Sequence, residues 1–76
     1  MLELFQKVIY DVTGKKGVTL DTDFVQDLHL TSLDVMNIIG VFEARFQTTI
    51  PTRQVWKFVY VKDAIDYLAK HGITEP

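Results

Sequence analysis

The 76-residue chain has no cysteine, which removes disulfides, zinc–thiolate sites and a cysteine nucleophile together. Any thiol chemistry has to be imported. It also lacks a run of about 18 apolar residues, the length that crosses a bilayer, and the basic-then-apolar layout of a secretory leader. No membrane span and a cytoplasmic location are therefore expected. A net charge of only −2 supplies no basic surface for nucleic acid. Charge of one sign is missing locally instead. Residues 17–44 hold Asp21, Asp23, Asp27, Asp34 and Glu43 with no Lys or Arg, a sum of −5. Residues 45–62 hold Arg45, Arg53, Lys57 and Lys62 with no acid, a sum of +4. An electrostatically two-sided molecule is expected.

Hydrophobic residues at 47% and charged residues at 24% describe an ordinary soluble globular chain. There is no internal repeat, low-complexity tract or linker, so residues 1–76 are expected to form a single domain. A chain this short buries only about 60% of the surface its unfolded form exposes, so its core must be economical.

Leu2, Phe5, Val8, Ile9 and Val12 follow the i, i+3, i+4 spacing of a helix with one apolar face, and Gly14 ends it. A loop of about fifteen residues follows, long enough that it should be functional or pinned by its own side chains. Val18, Leu20, Phe24, Val25 and Leu28 are the expected pins. A second helix is predicted from Ser32 to Phe46, with Val35, Ile38, Ile39, Phe42 and Phe46 on its inner stripe. Gly40 lies inside it, where glycine costs roughly 1 kcal/mol relative to Ala; close approach of another helix is the favoured reason, a path for a carried chain beside the helix the alternative.

Ile50-Pro51 stops that segment, and Thr52 is expected to cap a short helical turn through Val55, Trp56 and Phe58. A last helix should turn Val61, Ala64, Ile65, Tyr67 and Leu68 inward and end at His71-Gly72. The fold class is thus all-α: a small four-helix bundle, three longer helices and a short third one, with a long loop between the first two.

Ser32 opens the second helix, and a serine in that place is most often an N-cap. Here Thr31-Ser32-Leu33-Asp34 fits the Ser/Thr-x-x-acid capping pattern, with Thr31 as cap and Asp34 at the third helical position. That register leaves the Ser32 hydroxyl free. Unpaired N–H groups and the macrodipole also make a helix start favourable for a phosphate.

The order Phe24-Val25-Gln26-Asp27-Leu28, then Thr31-Ser32-Leu33-Asp34, Phe42-Glu43, Phe46, Ile50-Pro51 and Asp63-Ala64-Ile65-Asp66-Tyr67-Leu68 resembles the acyl carrier protein family over nearly the whole chain. Thr31 stands where the family's aspartate usually precedes the modified serine. The resemblance implies covalent phosphopantetheine on Ser32, holding acyl or aminoacyl groups as thioesters on a carrier that catalyses nothing. It implies a phosphopantetheinyl transferase and acyl-loading and acyl-using enzymes as partners, with Thr31, Leu33, Asp34 and Met36 near the contact. For Met36, core packing is an equal reading. A monomer is expected.

Familiar fatty-acid carriers have a strongly acidic second helix, whereas Asn37, Ala44 and Arg45 stand here at positions often held by acids, and Arg53 and Lys57 do so further on. This favours a specialised lipid, polyketide or related biosynthetic pathway. Arg53 and Lys57, four apart, are expected to share a face and contact an acidic partner patch. Phe42, Phe46, Trp56 and Phe58 are bulky enough to fill the volume in which related carriers shelter a chain. The competing reading is an unmodified carrier-like helical domain that binds a partner protein through the same surface.

Two further constellations are weaker. His29, Ser32 and Asp34 cannot converge as a catalytic trio, because residues two apart at a helix start do not face each other. Asp21-x-Asp23 with Asp27 resembles the start of a calcium loop but lacks the glycine and the closing acid, so no metal is expected, and a solvated acidic loop with a local turn or cap role for Asp21 or Asp23 is the favoured reading.

Overall fold

The computed structural model describes residues 1–73, and these form four helices: α1 (Leu2–Thr13), α2 (Ser32–Phe46), α3 (Thr52–Val55) and α4 (Val61–Lys70). The all-α bundle with one short helix follows from the sequence periodicity. Leu4, Phe5, Val8 and Ile9 of α1, Ile38, Ile39 and Phe42 of α2, and Val61, Ala64 and Leu68 of α4 are buried together. At their centre Phe5 stacks on Phe42 with ring centroids 4.3 Å apart. Val35 and Phe46, at the two ends of the α2 stripe, are partly buried against this core.

Helix ends follow local chemistry. Gly14 takes φ +75° and its N–H reaches the Tyr10 carbonyl at 2.8 Å, closing α1. At the end of α4, Gly72 has φ +72°, the Gly72 N–H donates to Ala69 and the Ile73 N–H to Leu68. This is a Schellman closure, and Ile73 packs back on the core as that motif favours.

The loop from 14 to 31 is pinned to α1 and to the start of α4. Gln6 Nε2 donates to the Val18 carbonyl at 2.7 Å, and Val61 and Lys62 N–H groups donate to Thr22 and Leu20 carbonyls at 3.0 Å each. Phe24 N–H donates to Val59, and Asp23 and Tyr60 form an isolated antiparallel bridge. Buried Thr22 is satisfied by accepting the Thr19 N–H at 2.7 Å. These bonds satisfy backbone groups that a covered loop would otherwise leave unpaired.

Four expectations change. Leu20 and Val25 are 45% and 59% exposed, so the pins are Val18, Phe24, Leu28 and Leu30. The carbonyl of Leu20 and the N–H of Val25 are held by hydrogen bonds, which turns both side chains outward. Thr52 is the first residue of α3 and Pro51 the cap, with no side-chain cap bond, because the fixed φ of proline already sets the entry. Gly40 is exposed, and a Cβ there would meet nothing within 4 Å, so no helix approaches it. Trp56 is 53% exposed and fills no core volume, because α3 stops at Val55 and the following turn carries the indole outward.

Candidate functional site

A compact turn delivers the chain to α2. The Asp23 carboxylate accepts the Val25 and Gln26 N–H groups at 2.8 Å each, while Asp27 accepts the Asp23 N–H at 2.8 Å. His29 then takes φ +52°, and Leu30, buried, donates its N–H to the Phe24 carbonyl. Thr31 therefore enters in extended geometry, φ −80° and ψ 166°, as a helix cap does. The local turn role expected for Asp21 or Asp23 falls to Asp23, and Asp27 closes the turn by accepting the Asp23 N–H.

The capping box is formed as the sequence predicts. Asp34 N–H donates to Thr31 Oγ1 at 3.1 Å, and Thr31 N–H donates to Asp34 Oδ2 at 3.2 Å. Ser32 is the first helical residue, exposed, with no side-chain hydrogen bond among the described residues. The N–H groups of Ser32 and Leu33 likewise have no partner there, since the first backbone bond of α2 is Val35 N–H to Thr31. A hydroxyl and two free donors thus lie together at the positive end of a 15-residue helix. A phosphodiester fits that arrangement, because its oxygens accept what the backbone leaves unpaired.

Beside the hydroxyl, Leu33 is 68% exposed and Met36 36% exposed on the outer side of α2. No hydrogen bond joins His29, Ser32 and Asp34 among the described residues, and the Asp34 carboxylate is occupied by the cap. There is no cluster of His, Asp or Glu arranged to hold a metal among the described residues. Arg53 and Lys57 are both exposed, but α3 ends at Val55, so Lys57 lies in the turn after the helix. The N–H groups of Lys57 and Phe58 bond three residues back, to Gln54 and Val55. At this tighter winding, residues four apart no longer eclipse as a full helical face would place them.

An apolar cavity of about 100 Å³ opens between α2 and α3, lined by Phe5, Phe24, Val35, Ile38, Ile39, Val55 and Phe58, with Val25 and Trp56. The last two are its most exposed lining residues and mark where it meets solvent. Bulky residues line this space without filling it.

A four-helix chain with a free serine at the start of its second helix has the architecture of a carrier protein. Its fold is similar to that of a presumed acyl carrier protein from Mycobacterium tuberculosis, with a TM-score of 0.82, 24% identity, and coverage of 91% of this chain and 95% of that one. A family model described as the phosphopantetheine attachment site matches residues 2–68, and the chain belongs to the acyl carrier protein family. Phosphopantetheine is accordingly its cofactor. Carriers of this family are generally non-catalytic and interact with modifying and acyl-handling enzymes. No helix among the described residues is long and apolar enough to cross a membrane.

Proposed function

We propose that Ser32 carries the phosphopantetheine, and that residues 1–76 act as one non-catalytic carrier domain. The observation that carries the assignment is the division of labour between neighbours: Thr31 caps α2, which leaves the adjacent Ser32 hydroxyl exposed and unbonded. Bound there, phosphopantetheine supplies a thiol on a flexible arm, where acyl or aminoacyl groups are held as thioesters. Ser32 Oγ supplies the oxygen of the phosphodiester. The free N–H groups of Ser32 and Leu33 face the same charge, and the macrodipole of α2 favours it. Thr31 and Asp34 hold the helix start in one geometry for the modifying enzyme. Leu33 and Met36 offer that enzyme an apolar contact next to the reacting hydroxyl.

The pathway we infer is a specialised lipid, polyketide or related one, served in the cytoplasm by matched enzymes and by a monomeric carrier. Support comes from α2, where Asn37, Ala44 and Arg45 replace the acids usual in housekeeping fatty-acid carriers and only Asp34 and Glu43 remain. Incubation with coenzyme A and a broad-specificity phosphopantetheinyl transferase, followed by intact mass, tests the assignment. The wild-type chain should gain one phosphopantetheine and the folded Ser32→Ala variant none. An unchanged wild-type mass across several transferases would favour an unmodified interaction domain.

A further inference from the structure

The acidic and basic stretches of the chain have different roles in the fold. Every acid between residues 17 and 44 is bonded within the chain. Asp21 reaches Lys62 at 3.4 Å, Asp23 and Asp27 accept turn N–H groups, Asp34 accepts from Thr31, and Glu43 accepts the Ile50 N–H at 2.7 Å. Their charge remains, but their hydrogen-bonding capacity is turned toward the chain. Among the cations that follow, Lys62 has this one ionic partner, whereas Arg45, Arg53 and Lys57 have none among the described residues. Between residues 17 and 62, positive charge is what the fold leaves open.

Two of these cations flank Trp56 in sequence, and Trp56 is both 53% exposed and part of the cavity lining. An exposed indole with Arg53 three positions before it and Lys57 directly after it, beside a concave apolar surface, has the composition of an interface anchor: a large amphipathic ring with cations close in sequence. Leaving that ring in water is unfavourable unless something covers it.

We propose that Arg53, Trp56 and Lys57 form the docking surface for an acidic, apolar-centred surface on an enzyme that loads or consumes the payload. The proposal rests on the carrier reading and adds the polarity of its docking: this chain offers positive charge from the α3 turn. The occupant is a protein because the patch is built around an indole and has only two flanking cations, whereas an anionic membrane is met by clusters of about 4–8 basic residues. A second copy would bring Glu3 and Asp66 as exposed acids with no side-chain partner among the described residues, and self-association is an outcome the test distinguishes.

The test is a nuclear magnetic resonance titration of the isotope-labelled chain with a synthetic amphipathic helix carrying glutamates on either side of a leucine stripe. The expected result is shifts centred on the Trp56 indole N–H and on Arg53 and Lys57, weakened by salt and severalfold smaller for Arg53→Glu with Lys57→Glu and for Trp56→Ala. Shifts confined to Thr31, Leu33 and Met36, or none, would overturn the proposal. Stronger binding to vesicles of phosphatidylglycerol and phosphatidylcholine, or salt-sensitive self-association in sedimentation, would overturn the assignment to a protein. Intact mass after treatment with coenzyme A and transferase separates the two readings. A chain that gains the mass but ignores the peptide loses only the docking surface, and one that binds at Trp56 without gaining the mass loses only the carrier assignment.

Discussion

Thr31 and Asp34 cap each other: each side chain accepts the backbone N–H of the other, at 3.1 and 3.2 Å. Ser32, between them, is thereby released from structural duty. Thr31→Ala should lower stability by about 1 kcal/mol and Ser32→Ala by a few tenths at most. Denaturant melts of the two unmodified variants measure the difference. A larger loss from Ser32→Ala would make Ser32 the cap and remove the argument for its availability.

Glycine should show opposite signs at two places. Gly40 is mid-helix with open space around a new Cβ, so Gly40→Ala should stabilise by about 0.5–1 kcal/mol. Gly14 has φ +75°, so Gly14→Ala should destabilise by about 1–2 kcal/mol although no atom obstructs it. Thermal melts of both variants would show shifts in opposite directions. A loss from Gly40→Ala would restore a packing role for that position.

The Phe5–Phe42 stack should dominate core energetics. Phe42→Ala should cost about 3–5 kcal/mol. A chain of this length has roughly 4–11 kcal/mol of net stability at 0.05–0.15 kcal/mol per residue. Phe42→Leu, with a cost of about 1–3 kcal/mol, should remain folded and give a measurable urea midpoint. Equal midpoints for Phe42→Leu and wild type would contradict the central place of the ring pair.

Glu43 ties the end of α2 to the approach to α3 by accepting the Ile50 N–H at 2.7 Å in a partly buried setting. Glu43→Ala leaves that donor unpaired and should cost about 1–3 kcal/mol, with Glu43→Gln recovering much of it because the amide oxygen still accepts. Amide exchange should report the loss locally, at Ile50. Unchanged protection of Ile50 in Glu43→Ala would show that another group takes up the bond.

Local chemistry made much of this protein readable. The periodicity of Val35, Ile38, Ile39, Phe42 and Phe46 located α2, and its bounds, Ser32–Phe46, match the predicted ones. Gly14 and Gly72 announced their positive φ because only glycine adopts it cheaply. The Thr31–Asp34 box was legible because both partners lie within one helical turn. The Asp23–Asp27 turn was equally local: a turn role for Asp21 or Asp23 was legible in the acidic spacing, and the fold gives it to Asp23.

Sequence alone therefore determined the helices, their order, the cap and the free serine, all of which depend on residues a few positions apart. Tertiary structure decided which apolar loop residues are covered, that Leu30 is buried while Leu20 and Val25 are not, and that Trp56 stands at a cavity and not in the core. It also decided which charges are left open, because Glu43 meets Ile50 and Asp21 meets Lys62 only once the chain has folded back on itself. Hydrophobicity says how favourable burial is for a side chain, but the space and the backbone partners available to it come from elements distant in sequence.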